Sequence, residues 1–396
     1  MRVTKKYLAP AILAVAGLAL AGCAPTVDAN PGADLAPVDI AIITSNTGPL
    51  AGYGAEYTQG FKAGLDYATE GTGTVDGREL NISYVDDAGD ADKAVSAAKE
   101  AIGNGTQIIA GTASSGIALA VAEQAAQNKI LYISGPAAAD AITGVNEYTF
   151  RSGRQTVQDV ATAGTFIGDL NGKNILVFAQ GTAFGQGNVA GVEAVLGAQG
   201  ATVTGELVPE DATEFTPFAQ KIRDAAPDMV FVAWAGASTG AMWQALSQQG
   251  VFDTIPVVTG LGDIASYGAY GEASEGISFL NHYFSGAAGT DIEKTMIEFL
   301  DGNSEKADLF TPDGFVAAQM IVHAIKDGGG DDVAKMIASL EGWSFDSVKG
   351  TLTIRADDHA LIQPMFQARL TADGDTFVPE LIKVIDADTV APPVAK

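Results

Sequence analysis

The chain has 396 residues, of which 47% are hydrophobic and 18% are charged. This length and composition fit a globular protein with room for two domains and exclude a disordered chain. A formal net charge of −26 argues against a DNA or RNA partner, because an acidic surface repels phosphate. With one cysteine and three dispersed histidines (His282, His323 and His359), we expect no disulfide framework, no metal site and no cofactor.

The first 22 residues have the pattern of a secretory signal peptide. A basic start precedes an apolar stretch from Tyr7 to Leu20, which is too short for an ordinary transmembrane span. The stretch ends in Leu-Ala-Gly-Cys at 20–23, which resembles the bacterial lipobox, and Cys23 is the only cysteine of the chain. The resemblance implies that residues 1–22 are removed and that Cys23 is acylated. An ordinary signal peptide with a buried cysteine is the alternative.

Residues 23–37 contain Pro, Ala, Asp and Gly without apolar periodicity, which predicts a flexible tether. A lipid on Cys23 would then hold the protein at the outer side of a cell membrane without spanning it.

From Val38 onward, short apolar runs alternate with stretches of helical periodicity such as DKAVSAAKEAIGNG. The alternation predicts parallel sheets covered by helices on both faces, and the strands are too many for one sheet of usual size. The fold class predicted is therefore α/β, with two doubly wound parallel-sheet lobes. The predicted strands are 38–44, 80–86, 107–111, 130–134, 174–179, 202–208, 229–234, 255–260 and 275–281.

Ligands of open parallel sheets bind beyond the carboxyl ends of the strands, so the loops there are the candidate site. In the loop at 111–116, Ser114 and Ser115 precede a predicted helix. Their hydroxyls and the free N–H groups of the helix start suit a carboxylate. Either serine can instead be only the N-cap of its helix, and the sequence leaves both interpretations open.

Two aromatic residues, Tyr53 and Trp234, lie in glycine-rich loops that follow predicted strands. Such side chains are suited to the wall of an apolar pocket. Packing beneath a loop is the alternative for each of them.

These residues lie in segments that resemble the type I periplasmic binding proteins of the leucine/isoleucine/valine-binding class. The similar segments are TGPLAGYGAEYTQGFKAGLDY, VDDAGDADKAVSAAKEAI, IIAGTASSGIALAVAEQAAQNKILYIS, TAFGQGNVAGVEAVLGAQGATV, EFTPFAQKIRDAAPDMVFVAW and GTLTIRADDHALIQPMF. Their order and spacing are more specific than any one of them, and the resemblance runs from about Val38 to about Leu381.

The resemblance implies that Tyr53 lines the ligand pocket and that Ser115 holds an α-carboxylate. It places Ala137 or Ala138 where the family has a Thr that binds the α-amino group, and Phe184 where a Tyr is usual. The only acid near the position of the family's second-lobe Glu is Asp263. These departures reduce the support for an amino acid ligand.

The resemblance also implies hinge closure of two lobes, with three chain crossings near 151–155, 282–286 and 343–350. We expect one lobe to comprise 38–154 with 286–343, and the other to comprise 155–285 with 344–396. The implied function is that of an extracytoplasmic receptor, a monomer, that passes its ligand to the permease and ATPase of an ABC importer. A branched-chain or other apolar amino acid is the first expectation for the ligand, with aromatic or organic acids and amides as alternatives.

Two rival functions remain open from the sequence. Gly236–Gly240 matches the G-x-S-x-G pattern of a hydrolase, with Ser238 as the nucleophile and three histidines later in the chain. Such short patterns also arise by chance in a chain with 47 glycines. The second rival is a sensory lipoprotein that uses the same two-lobed fold to signal.

Overall fold

The computed structural model of the chain describes residues 36–166, 168–374 and 376–395. The predicted signal peptide, Cys23 and all but the last two residues of the predicted tether lie outside the described residues. Each predicted strand is present, with ends that differ from the prediction by at most two residues. The α/β fold class with two sheets is confirmed.

The first lobe begins with six strands and three helices. In chain order they are β1 (Val38–Thr44), α1 (Ala51–Ala68), β2 (Thr74–Val75), β3 (Arg78–Asp86), α2 (Ala91–Gly103), β4 (Ile108–Gly111), α3 (Ser115–Asn128), β5 (Leu131–Ser134) and β6 (Thr149–Arg151). The sheet order is β2-β3-β1-β4-β5-β6, and only β2 pairs antiparallel. All of β1 except Asp39 is buried, because helices cover both faces of the sheet.

The chain then enters the second lobe. Its elements are α4 (Thr156–Gly164), β7 (Asn174–Gln180), α5 (Ala183–Val195), β8 (Thr202–Val208), α6 (Thr216–Ala225), β9 (Met229–Ala233), α7 (Thr239–Gln248), β10 (Val257–Gly260), α8 (Tyr267–Tyr270) and β11 (Ile277–Asn281). The first crossing therefore lies between Arg151 and Thr156, and the second follows Asn281.

The return to the first lobe is longer than expected. It comprises α9 (Asp291–Gly302), α10 (Thr311–Gly328), α11 (Val333–Leu340), β12 (Ser344–Ser347), β13 (Gly350–Ile354) and β14 (Leu361–Ile362). We expected the second lobe to resume at 344, but β12–β14 form a small antiparallel sheet whose Phe345, Leu352 and Ile354 are buried in the first-lobe core with Ile40 and Ile321. The third crossing therefore lies between Ile362 and Met365.

Two antiparallel strands, β15 (Met365–Asp373) and β16 (Thr376–Ile385), complete the second sheet. Its order is β16-β15-β11-β10-β9-β7-β8. The five strands β11, β10, β9, β7 and β8 pair in parallel. Short 3-10 helices among the described residues are Asp140–Ile142, Gly197–Gln199, Val251–Asp253, Ile264–Ser266, Gly271–Gly276 and Ala387–Val390.

Close helix packing fixes the first-lobe wall of the cleft. A Cβ atom on Gly60 of α1 would lie 1.8 Å from the carbonyl oxygen of Thr311, so α10 can approach α1 only because this residue is glycine. The close approach brings Phe310, which precedes α10, against Tyr53 at the start of α1, with ring centroids 4.6 Å apart.

Candidate functional site

A cavity of about 300 Å³ lies between the two lobes, where the carboxyl ends of strands from both sheets face each other. Its first-lobe wall is built from the loops after β1, β4 and β5, and its second-lobe wall from the loops after β7, β8, β9 and β10. This is the crevice in which α/β folds bind ligands, so the fold itself positions the site.

The polar end of the cavity is the start of α3. Ser114 is the N-cap residue, but its side chain makes no capping hydrogen bond. Among the described residues, no acceptor pairs with the backbone N–H groups of Ser115, Gly116 or Ile117. The helix dipole adds partial positive charge at this point, so the wall is suited to bind an anion.

The second serine of the loop is held in place by a neighbouring loop. Ser115 is 4% exposed, and its Oγ accepts the N–H of Ala139 at 3.2 Å. Within the described residues no acceptor takes the hydrogen of the Ser115 hydroxyl, which remains available to a ligand oxygen. Both serines line the cavity, where Ser115 is fixed and Ser114 is half-buried.

A salt bridge lies at the first crossing and joins Arg154, in the crossing segment, to Asp159 of α4 in the second lobe. Arg154 Nε lies 3.2 Å from Asp159 Oδ2, and Arg154 Nη1 donates to the carbonyl of Pro136 at 3.0 Å. Both side chains are nearly buried and lie on the cavity wall. Burial raises the pKa of Asp159, and the adjacent Arg154 opposes that shift. Sequence analysis did not identify this pair.

Aromatic side chains form the apolar part of the wall. Tyr53 and Phe310 contribute from the first lobe, and Phe184 and Trp234 from the second. Trp234 is held by an edge-on contact with Phe215, with centroids 5.4 Å apart. The arrangement suits a ligand with an apolar body between two lobes.

The hydrogen bonds of Ser238 do not form a catalytic pair. Its Oγ accepts the indole N–H of Trp234 at 3.0 Å, and no described histidine lies within hydrogen-bond range of it. His282 also lines the cavity, but its Nε2 faces Asp313 at 3.7 Å. An activated nucleophile needs a base at hydrogen-bond distance, so the described geometry gives no support to a hydrolase.

Behind the cavity, buried ionisable groups gather where the chain crosses between lobes. Burial lowers the pKa of His282 well below its usual value, so its imidazole is neutral at pH 7. Lys349 donates to Gln363, and burial lowers the pKa of its ammonium group. Burial raises the pKa of Asp313, whose carboxylate oxygens have no hydrogen-bond partner among the described residues.

Two residues predicted to bind ligand lie off the cavity wall. Asp263 caps the short helix Ile264–Ser266 by accepting the N–H of Ser266, and it lines an adjoining cleft near Gly52 that shares Tyr53 with the cavity. Ala137 is 1% exposed and packs with small apolar residues, while its neighbour Ala138 does line the cavity. Local capping and packing explain both positions better than contact with a ligand.

Contacts between the lobes show that the cleft is closed. The N–H of Ile264 in the second lobe donates to both carboxylate oxygens of Asp308 in the first, at 3.1 and 3.0 Å. Gly236 has a φ of +81°, and a Cβ atom there would lie 2.7 Å from the carbonyl oxygen of Pro49 across the cleft. Close approach of the lobes therefore depends on glycine at 236.

Comparison with known proteins identifies the class. The family model for periplasmic binding proteins matches residues 37–375, and the chain belongs to that family. With two sheets and three crossings it is a type I periplasmic binding protein, which places it outside the cytoplasmic membrane. No described helix has both the length and the apolar character needed to cross a membrane.

Individual relatives agree with this class. The Leu/Ile/Val-binding protein homolog 3 of Brucella melitensis is 24% identical, over 86% of this chain and 92% of its own length. A crystal structure described as an ABC-type branched-chain amino acid transporter from Rhodopseudomonas palustris is 32% identical, with a TM-score of 0.75 over 90% of this chain and 99% of that one. A solute-binding protein from R. palustris in complex with 4-hydroxybenzoate shares the fold, at 21% identity and a TM-score of 0.81 over 88% and 97%.

Proposed function

We propose that this chain is the substrate-binding lipoprotein of an ABC importer and that it captures a small carboxylic acid with an apolar body. The observation that carries the proposal is the start of α3. There Ser114, Ser115 and Gly116 line an aromatic-walled cavity, and the backbone N–H groups of Ser115 and Gly116 have no acceptor among the described residues. A carboxylate placed there would gain charge-assisted hydrogen bonds, while the rings of Tyr53 and Trp234 would enclose its apolar part.

The relatives support this ligand class from two sides. Curated relatives are named for leucine, isoleucine and valine, and solved relatives of the same fold hold 4-hydroxybenzoate or 3,4-dihydroxybenzoic acid. These ligands differ in body and in the presence of an amino group, but each has a carboxylate on an apolar frame. Relatedness taken by itself favours a branched-chain amino acid and leaves aromatic acids as the alternative, whereas the carboxylate is common to both.

Transport would follow from closure of the lobes. The ligand first meets the anion-binding wall of the first lobe, and the second lobe then closes over it and expels water. Closure is favoured only by contacts that exist in the closed state, such as Ile264 with Asp308. The permease of the importer would recognise the closed form, and a lipid on Cys23 would keep the protein near it.

A thermal-shift screen tests the proposed ligand class. A ligand that binds only the folded state raises the melting temperature, so at least one member of a panel of branched-chain amino acids, benzoates and branched acids should do so. Primary amides of the same acids serve as uncharged controls. A protein that responds only to the amides, or to none of the panel, would contradict capture of a carboxylate.

The lipid anchor has its own test. Expressed with its native N-terminus in a bacterial host, the wild type should fractionate with membranes, and Cys23→Ser should be released into the soluble extracytoplasmic fraction. Equal membrane association of both forms would rule out acylation at Cys23.

A further inference from the structure

We infer that the natural ligand is a carboxylic acid without an ammonium group on the carbon next to its carboxylate, which excludes the α-amino acids. The inference rests on the proposed function, because it places the carboxylate at the start of α3. An ammonium group one carbon away would need acceptors that flank Ser115. The loop at 136–139 flanks it directly, since Ser115 Oγ accepts the N–H of Ala139.

The carbonyl groups of that loop are already used. Pro136 accepts from Arg154 at 3.0 Å, and Ala138 accepts from both the backbone N–H and the Oγ1 of Thr156, at 2.8 and 3.1 Å. The two remaining carbonyls, those of Ala137 and Ala139, accept from Arg151 at 2.7 and 2.9 Å. A carbonyl oxygen has two lone pairs, so occupancy alone does not close every position.

The donors to three of these four carbonyls are guanidinium groups. Arg151 is 1% exposed, and burial lowers its pKa only to about 10, so it is cationic at neutral pH. The Arg154 guanidinium lies on the cavity wall itself. Each guanidinium also faces a carboxylate, Asp140 in the case of Arg151 and Asp159 in the case of Arg154. An ammonium group beside this loop would therefore have to compete with these cationic donors for the carbonyl oxygens that they already hold.

The carboxylates nearest this loop already have donors or lie away from it. Asp140, which faces Arg151, accepts from Gln155 Nε2 at 3.1 Å and from the N–H of Val157 at 3.0 Å. Asp159 is on the wall, but its charge is already matched by Arg154 at 3.2 Å. Asp263 lies off the wall and caps its own helix. Glu210 is the remaining acid on the wall, and it is exposed on the second lobe, on the opposite side of the cleft from α3. Beside a carboxylate bound at Ser115, each carbonyl of the loop at 136–139 therefore already has a donor, so an apolar carbon is accommodated there more readily than an ammonium.

Matched pairs of ligands test the inference on the wild-type protein. Leucine is compared with 4-methylpentanoate, and phenylalanine with 3-phenylpropanoate, by isothermal titration calorimetry at pH 7. Each pair differs only in the ammonium group. One of the two apolar side chains should fit the cavity better. In that pair we expect the Kd of the acid without an ammonium to be at least about tenfold lower than that of the amino acid, because the amino acid buries an unpaired charge.

A variant shows whether Arg154 causes the discrimination. Arg154→Gln removes one cation, frees the Pro136 carbonyl and leaves Asp159 unpaired, so the preference for the acid should fall at least about threefold. Arg369→Gln, at an exposed site on β15, is the matched control and should leave the preference unchanged. Thermal unfolding verifies that both variants are folded.

The outcomes separate this inference from the proposed function. Equal or tighter binding of leucine or phenylalanine would overturn the inference and leave carboxylate capture intact. Tighter binding of 4-methylpentanamide than of both the acid and the amino acid would overturn the proposed function, and the inference with it. A preference for the acid that Arg154→Gln does not reduce would overturn the role of the cations.

Discussion

The two walls of the cleft differ in chemistry. The first-lobe wall holds the start of α3, where Ser115 is fixed by the N–H of Ala139, beside the rings of Tyr53 and Phe310. The second-lobe wall contributes Phe184 and Trp234, and Trp234 is fixed by packing on Phe178 and Phe215 and by a hydrogen bond to Ser238. The N–H groups of Ser115 and Gly116 at the start of α3 have no acceptor among the described residues, so orientation and enclosure of a ligand can be separate tasks. One lobe can hold the charged end of a ligand before closure, and the other adds apolar contact and excludes water.

The largest effect is expected at the start of α3. Ser115→Ala removes the hydroxyl that faces the ligand and also the acceptor of the Ala139 N–H. Loss of a hydrogen bond to a charged group should weaken binding of a carboxylate by about 1.5–3 kcal/mol, or about 10- to 150-fold in Kd. Calorimetry measures the change, with Ser96→Ala on the exposed face of α2 as the control. An unchanged Kd would show that Ser115 does not contact the ligand.

A smaller effect is expected from obstructing closure. Gly236→Ala places a Cβ atom 2.7 Å from the carbonyl oxygen of Pro49, so the closed state is strained and affinity should fall about tenfold. Gly172→Ala is the matched control, because its φ of +74° resembles the +81° of Gly236 and no atom lies within 4 Å of the added Cβ. Both variants should lose similar folding stability. Equal affinity in the two variants would contradict the dependence of binding on this contact.

Folding stability beneath the first-lobe wall, as distinct from affinity, should depend on pH through Glu56. Glu56 accepts the N–H of Phe310 at 3.0 Å, and burial, with repulsion from Asp308, raises its pKa from 4.5 to about 9. The folded chain therefore holds a proton that the unfolded chain loses above pH 4.5, and this contribution to stability declines as the pH rises towards 9. Glu56→Gln mimics the protonated form and should flatten the decline.

Scanning calorimetry at pH 5 and pH 8 measures this difference. The melting temperature of Glu56→Gln relative to wild type should be higher at pH 8 than at pH 5, whereas Glu79→Gln, at an exposed position, should show no such change. A constant difference between Glu56→Gln and wild type at both pH values would mean that Glu56 is ionised in the folded protein.

Local patterns were enough to predict the strands and the loops of the site. Apolar runs such as 38–44 are buried on both faces of a parallel sheet, so each run marks a strand, and the loop after it marks the crevice. Ser115 and Tyr53 follow such runs and line the cavity, and their contact with a ligand stays a prediction. Asp263 was predicted because it is the only acid near the position of the family's second-lobe Glu. In the sequence, an Asp that caps a 3-10 helix looks the same as an Asp that binds a ligand.

Other parts of the site depend on contacts between distant segments. Phe310 reaches Tyr53 only because α10 packs closely on α1, and Arg154 reaches the cavity from the segment that crosses between lobes. The sequence around Arg154 and Gln155 does not show whether the arginine forms a buried salt bridge or lies on the surface. The third crossing was placed too early because β12–β14 are short strands whose place in the first-lobe core is decided by α10 and α11.

Binding of one ligand with and without its charge tests whether the start of α3 holds a carboxylate. The tightest-binding acid of the panel and its primary amide have nearly the same shape, so the difference in Kd isolates the contribution of the carboxylate. If the start of α3 and Ser115 hold that group, the acid should bind at least about tenfold more tightly than the amide. In Ser115→Ala most of this difference in Kd should be lost. Equal binding of the acid and the amide to the wild type would contradict the account.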